Sequence, residues 1–251
     1  MGMHWDFALL LVFLGVAIPW LGKRRMRQFM QVARTTKMDR LVLYASTMVF
    51  QWPAAGVILW RTRIHGISPA RLGFAVANVR LIVATSVVLS ALTLVNQVFS
   101  LRRMLARPLE IKGVLPLLVK KLLPQDDMER LAFCGLVVTV AICEEFIYRG
   151  FVQRVFDDWL GDAVPAGILV SAVFFAFAHL YQGRRGVLAT FGVGLLFSLI
   201  RGWTGSLIPT MGAHFVADLA VGFLAPHYLR SVLVDAANPE GDAPGTQHPV
   251  V

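Results

Sequence analysis

Residues 131–150 read LAFCGLVVTVAICEEFIYRG, and this stretch decides the class of the whole chain. Its first thirteen residues carry no charge, and two adjacent carboxylates and an arginine follow them: Glu144, Glu145 and Arg149. A helix that crosses a bilayer needs roughly 20 predominantly apolar residues. Ionisable groups in such a helix are costly to bury and usually serve a function. The stretch therefore predicts a membrane-spanning helix that carries a functional site.

Comparable apolar runs occur elsewhere in the chain, and hydrophobic residues make up 57% of its 251 residues. A backbone in lipid must satisfy its own hydrogen bonds, so each run has to be helical. We predict an all-α fold, a polytopic transmembrane helical bundle of about seven spans, or eight if residues 101–129 enter the bilayer. The runs lie near residues 6–22, 41–60, 79–100, 131–149, 163–181, 186–201 and 205–225.

The runs imply one transmembrane domain, residues 1–230, with a catalytic core at about 130–225. Residues 101–129 alternate basic and apolar side chains, which is typical of a helix on the membrane surface. Residues 231–251 hold several prolines, glycines and polar residues. This composition predicts a disordered tail.

The chain has a formal net charge of +9, and its basic residues are not spread evenly but cluster in alternate loops. The positive-inside rule then predicts an N-terminus outside and a C-terminus in the cytoplasm. Such loops fit anionic lipid headgroups, so the expected partner is the bilayer and not a nucleic acid. The clustered residues are Lys23, Arg24, Arg25, Arg27, Arg34, Lys37 and Arg40, then Arg102, Arg103, Arg107, Lys112, Lys120 and Lys121, then Arg184 and Arg185.

Ionisable side chains are confined to a few of the runs. Residues 41–60, 81–100 and 186–200 contain no Asp, Glu, Lys, Arg or His, whereas three other runs do: the fourth has the Glu144 group, the fifth has His179, and the last has His214 and Asp218. Since intramembrane ionisable groups usually mark a site, these residues are the candidates.

Spacing assigns different roles to the two adjacent carboxylates. Glu145 and Arg149 are four residues apart, so they share a helix face and can form an ion pair. Glu144 is rotated by about 100° from that face, which leaves it free to act. His214 and Asp218 also share a face.

A hairpin argument brings Glu144 close to His179. If the chain turns near residues 161–162, Glu144 lies 18 residues before Asp162 and His179 lies 17 after it. At about 1.5 Å per residue, both reach the same depth, some 26 Å from the turn.

Two chemistries fit this set of side chains. One is a divalent metal site, for example zinc, with Glu144, His179, His214 and Asp218 as ligands and a bound water. The other needs no metal: Glu144 acts as general base for a water, and histidines stabilise the oxyanion. The sequence leaves both open.

Three motifs carry a family resemblance. Residues 144–150 (EEFIYRG), 175–179 (FAFAH) and 214–218 (HFVAD) resemble the EExxxR, FxxxH and HxxxN or HxxxD motifs of the CPBP intramembrane proteases. This CAAX-protease and bacteriocin-processing group, also called Abi, is related to the type II CAAX prenyl endopeptidases. The resemblance spans roughly residues 130–225.

The resemblance implies an intramembrane endopeptidase of a bacterial inner (plasma) membrane. Its substrate would be a membrane-embedded or lipidated peptide, for instance a prenylated one. Glu144 and His179 would activate water, while His214 and Asp218 would stabilise the oxyanion. The family is often described as metalloproteases. The chain departs from many members by carrying Asp218 instead of Asn, and a carboxylate cannot donate to an oxyanion unless it is protonated.

Other functions fit the sequence less well. The chain lacks the HExxH of site-2 metalloproteases, and Asp162 and Ser206 lack GxGD and rhomboid-like contexts. Cys143 beside Glu144 is a further candidate nucleophile. The rival class is a non-proteolytic membrane protein: a transporter with a Glu144–His179 proton relay, or a degenerate family member that acts as an adaptor or immunity factor.

The alternating loop charges predict that residues 30 and 240 both face the cytoplasm. Fusions of a periplasm-active and a cytoplasm-active reporter after each residue measure this directly. A periplasmic signal at either position would contradict the orientation.

Overall fold

The computed structural model describes residues 4–105, 121–161 and 164–237, and the side chains of 4–103, 121–161 and 165–225. Within these ranges the chain is helical and has no strand, only an isolated bridge between Phe74 and Ser206, which confirms the all-α prediction. The helices are α1 (Trp5–Gln31), α2 (Lys37–Ile64), α3 (Val79–Leu105), α4 (Asp127–Trp159), α5 (Val164–Ala178), α6 (Gly183–Thr204) and α7 (Ile208–Ala237).

Six of these helices, all except α5, are long and apolar enough to cross a membrane. Helix α5 has 15 residues and is about 22 Å long, shorter than the ~30 Å hydrocarbon core. The span predicted at 163–181 is therefore too long. Its helix ends at Ala178, because His179 leaves helical geometry (φ −101°, ψ 18°) and the short 3₁₀ turn Leu180–Gln182 follows.

The direction of the helices agrees with a chain that reverses at every connection. Helices α2 and α4 run parallel, since Arg40 contacts Glu129 and, further along both helices, Gln51 contacts Glu144. Helix α5 returns antiparallel to α4 through the turn at Gly161, where φ is +69°. The described part of the bundle therefore consists of seven alternating helices, six of full spanning length.

Helix α4 is the central element of the bundle. In its 18-residue apolar segment, 44% of the residues are buried, the largest share among the six long helices, whereas the share in α3 is 11%. Its two carboxylates therefore lie where several helices surround them. The main core cluster forms between α1, α2, α4 and α5, with Phe7, Ile58, Phe151 and Phe175 among its members.

One end of the α2–α4 contact is fixed by a buried ion pair. Arg40 donates two hydrogen bonds to Glu129, from Nε to Oε2 at 3.0 Å and from Nη2 to Oε1 at 2.8 Å. The backbone N–H of Gln125 donates to the same carboxylate at 2.6 Å. A bidentate pair of this kind fixes both distance and orientation, so it sets the register of α2 against α4.

Helix α4 changes to π-helical geometry over Phe146–Val152, inside the EExxxR motif. A π segment leaves backbone carbonyls without their usual partners, and such segments occur frequently at functional sites. Here Ser171 of α5 donates to the carbonyl of Tyr148 at 2.8 Å, and Ser198 of α6 donates to Ser171 at 3.2 Å. These hydroxyls fasten α5 and α6 to α4 beside the candidate residues.

Two predicted segments lie partly outside the described residues. Of the proposed surface helix at 101–129, residues 106–120 are not described, while 101–105 continue α3. Helix α7 ends at Ala237, so residues 231–237 of the predicted tail are helical, and 238–251 are not described. The first helix breaker of the tail is Pro239, which also restricts the residue before it, and this explains why the helix passes residue 231.

Candidate active site

Glu145 forms the buried base of the candidate site. Its side chain has no solvent exposure, and its Oε1 accepts hydrogen bonds from Arg149 Nη1 at 2.9 Å and from His214 Nδ1 at 2.9 Å. The predicted Glu145–Arg149 ion pair is therefore confirmed. The bond to His214 was not predicted, and it joins α4 to α7 at the site.

Arg149 is held on several sides. Its guanidinium lies over the ring of Phe175, 4.0 Å from the ring centre, and Nη2 donates to the carbonyl of Gly194 at 3.4 Å. A Cβ atom at Gly194 would lie 3.3 Å from Ala172 Cα, which is closer than ordinary contact. The absence of a side chain at Gly194 therefore allows α5 and α6 to approach closely. The arginine therefore fixes α4 against both following helices.

Glu144 differs from its neighbour in its partners, which are an amide and a histidine instead of an arginine and a histidine. Oε1 accepts a hydrogen bond from Gln51 Nε2 at 2.9 Å. Oε2 is buried and has no hydrogen-bond partner among the described residues. It faces His179, whose Nε2 lies 4.0 Å away. The hairpin argument is thus confirmed, since the two side chains share one depth.

His179 lies just beyond the C-terminal end of α5, in the turn before α6. Its Nδ1 is 2.8 Å from the carbonyl oxygen of Phe175. A carbonyl can only accept, so Nδ1 carries the proton, and in the neutral ring Nε2 is an acceptor. The ring therefore presents a lone pair to the space beside Glu144 Oε2.

His214 and Asp218 form the other side of the site. His214 Nε2 lies 3.6 Å from Asp218 Oδ2, so the two residues predicted to share a helix face do so. Phe175 contacts both histidines, with ring centres 4.7 Å from His179 and 6.1 Å from His214. The second motif thus supplies His179 and also Phe175, whose ring lies next to His179 and to His214 of the third motif.

The arrangement does not form a metal site. Among the described residues, no three His, Cys, Asp or Glu side chains are grouped so that they could hold a metal ion. Glu144 and His179 form one pair and His214 and Asp218 another, and Nδ1 of each histidine is already bonded. The four side chains predicted as one ligand set therefore lie as two pairs in this structure.

Sequence reasoning missed Gln51, although a signal existed. It is the only amide in the apolar run 41–60, and an unexplained amide in such a run needs a partner in the bundle. Because Gln51 carries no charge, the distribution of ionisable residues does not point to it.

Two alternative nucleophiles have other surroundings. The Ser206 hydroxyl accepts from the N–H of Ile208 at 3.4 Å, close to the start of α7, and Ser206 is fully buried. Cys143 is a free cysteine within the main core cluster. Each has a structural explanation, as a cap and as core packing.

Residues 127–220 match the family model described as type II CAAX prenyl endopeptidase Rce1-like. The chain carries an Rce1-like domain. The match begins where α4 begins and ends two residues after Asp218, so it contains all six residues singled out from the sequence, and the predicted resemblance is confirmed. No curated protein and no solved structure matches the chain.

The domain covers somewhat more than a third of the chain. Helices α1, α2 and α3 lie outside the match, and α2 nevertheless supplies Gln51 to the site. The six long apolar helices make the chain an integral membrane protein, and residues 127–220 carry its similarity to the type II CAAX prenyl endopeptidases.

Removing either partner of the buried Glu145–Arg149 pair should destabilise the protein more than neutralising Glu144. Glu145→Gln or Arg149→Ala strands a fully buried charge, which costs about 3–5 kcal/mol. Glu144→Gln breaks no ion pair with an arginine or lysine among the described residues. Detergent-solubilised yield and melting temperature measure the difference, and equal values for the three variants would contradict it.

Proposed function

We propose that the protein is an intramembrane endopeptidase that hydrolyses a peptide bond in a membrane-embedded or lipidated peptide, for example a prenylated one. The observation that carries the proposal is the gap between Glu144 Oε2 and His179 Nε2. The two atoms face each other at 4.0 Å, and Oε2 lacks any hydrogen-bond partner among the described residues. The similarity of residues 127–220 to the type II CAAX prenyl endopeptidases supports this substrate class.

The gap has the dimensions for one water molecule. At 4.0 Å the two atoms are too far apart for a direct hydrogen bond. A water about 2.8 Å from each would subtend an angle of roughly 90° between them. The carboxylate and the neutral Nε2 are both acceptors, so the water donates one hydrogen to each. Its oxygen lone pairs then remain available to attack a carbonyl carbon.

Glu144 acts as the general base in this reaction. It takes a proton from the water as the oxygen bonds to the scissile carbonyl carbon, and a tetrahedral oxyanion results. When the C–N bond breaks, the same proton passes from Glu144 to the departing amine. The products are a new carboxyl end and a new amino end, and the enzyme returns to its starting state.

His214 is the group best placed to stabilise the oxyanion. Its Nδ1 is fixed by Glu145 at 2.9 Å, which orients the ring, and in the doubly protonated form Nε2 is a second N–H donor. Asp218 Oδ2 lies 3.6 Å from the same Nε2, beyond hydrogen-bond distance, so the Nε2–H stays available for the oxyanion. Asp at this position is therefore compatible with the mechanism, because the donor is His214 and not residue 218.

Glu144→Gln and His179→Ala should each lower the cleavage rate by about 10²–10⁴-fold, the usual contribution of a positioned acid or base. The double variant should lose little more than the singles, since members of one catalytic unit fail together. The measurement is cleavage of a lipidated peptide by purified protein in vesicles.

Two matched controls accompany these variants. Cys143→Ala and Ser206→Ala should keep most activity, because neither side chain is the nucleophile. A fully active Glu144→Gln protein would refute the hydrolytic mechanism. Loss of cleavage in Cys143→Ala with an unchanged melting temperature would instead indicate a cysteine nucleophile.

Gln51 should act as a positioning residue. Gln51→Leu removes the donor that fixes Glu144 Oε1, so the carboxylate can rotate away from the water. We expect kcat to fall about tenfold or more while KM changes little, because Gln51 is not proposed to bind the peptide. An equal rise in KM, or an unchanged kcat in a stably folded variant, would contradict this role.

A further inference from the structure

A cavity of about 670 Å³ lies beside the candidate active site, between α1 and the start of α6. This volume is within the ~300–1,000 Å³ range of small-molecule sites. Tyr181 belongs to its lining, and the Tyr181 ring centre is 5.7 Å from that of His179. The cavity is therefore next to the proposed catalytic pair but uses other residues.

Two helix faces form opposite walls of the cavity. On α1 the lining residues are Lys23, Met26, Arg27 and Met30, which follow the three- and four-residue spacing of one helix face. On α6 they are Arg184, Val187 and Leu188, with the same spacing. Each wall thus combines cationic side chains with apolar ones, and no lining residue is acidic.

The cavity cations on α1 differ from Arg24 and Arg25 in having no partner among the described residues. Lys23, Arg27 and Arg184 form no ion pair or hydrogen bond with any described residue. By contrast, Arg24 lies over the ring of Trp20, 5.6 Å from its centre, and Arg25 donates to the carbonyl of Leu43 at 3.2 Å. The basic segment after the apolar part of α1 is therefore divided into residues with intramolecular partners and residues that face the cavity.

The position along the helices identifies the membrane interface. Lys23 directly follows the apolar run 6–22, and Arg184 lies two residues before the start of the run 186–201. Both therefore lie at headgroup level, and the orientation predicted from the sequence puts this level on the cytoplasmic side. Basic pockets between membrane helices on that side are known to bind anionic headgroups.

We propose that this cavity binds an anionic membrane phospholipid. Its phosphate lies among Lys23, Arg27 and Arg184, where guanidinium groups can donate paired hydrogen bonds to phosphate oxygens. The apolar side chains Met26, Met30 and Leu188 contact the upper part of an acyl chain. The site goes beyond the proposed proteolysis and does not depend on it.

A lipidated peptide is the competing occupant, because it also combines an anionic group, its terminal carboxylate, with an apolar chain. A phospholipid is favoured by the position of the cavity, since Lys23 and Arg184 lie at the level of the lipid phosphates. The experiment below distinguishes the two occupants.

The test uses the full-length protein reconstituted in phosphatidylcholine vesicles. Phosphatidylglycerol with a fluorescent acyl chain is titrated in, and energy transfer from the tryptophans reports binding. Arg27→Gln and Arg184→Gln should each weaken apparent affinity about fivefold, the effect of one basic residue at a membrane surface. Labelled phosphatidylcholine should show no such dependence.

The matched controls are Arg24→Gln and Arg185→Gln. Arg24 is adjacent to Lys23 and Arg185 is adjacent to Arg184, but neither control residue lines the cavity. Each control removes one positive charge, so the lipid affinity should change less than twofold. A second variant, Leu188→Glu, places an anion at an exposed position of the apolar wall and should abolish the preference for phosphatidylglycerol. Melting temperatures establish that all variants fold.

Three results would overturn the proposal. Equal losses in the control variants would show general surface attraction, and unchanged affinity in Arg27→Gln and Arg184→Gln would show no lipid site. In the third result, Arg27→Gln and Arg184→Gln keep their lipid affinity, but their KM rises for a peptide that ends in a free carboxylate and not for the same peptide with a C-terminal amide. This result would assign the cavity to the substrate. Because the first two results are measured by lipid binding without cleavage, an inactive or non-hydrolytic protein would leave them unaffected.

Discussion

The buried carboxylate of Glu145 is the group on which the rest of the site depends. A charge without solvent contact is tolerated only when it is paired and hydrogen-bonded, and Glu145 meets this requirement through Arg149 and His214. These partners lie on α4 itself and on α7, and Arg149 in turn contacts α5 through Phe175 and α6 through Gly194. One carboxylate therefore brings four helices to a common point.

This arrangement explains why two adjacent glutamates can have different fates. Glu145 uses an oxygen to bind a cation and a histidine, so it is fixed and neutralised by its surroundings. Among the described residues, Glu144 accepts a hydrogen bond only from the uncharged amide of Gln51, and its second oxygen faces His179. A structural charge and a reactive charge are thus separated by one residue, because a helix turns by about 100° per residue.

The backbone of α4 and α5 also helps to position the side chains of the site. The π segment Phe146–Val152 frees carbonyl groups within α4, and the Ser171 hydroxyl binds one of them. Helix α5 ends at Ala178, so His179 is carried on a turn and its Nδ1 can reach the carbonyl of Phe175. The histidine is therefore oriented by the backbone of its own helix end, while the carboxylate is oriented by a side chain from α2.

The sequence by itself determined the helical membrane fold, the six candidate residues, the Glu145–Arg149 pair and the shared depth of Glu144 and His179. These follow from local rules, because hydrophobic runs and residue spacing along a helix depend only on the chain near each residue. It did not determine that His214 binds Glu145, that Gln51 binds Glu144, or that α5 ends at Ala178. The first two require two helices distant in sequence to pack in a particular register, and the last depends on the turn that His179 makes beside the site. Tertiary packing decided these features, since contacts between helices are set by the whole bundle and not by any one run.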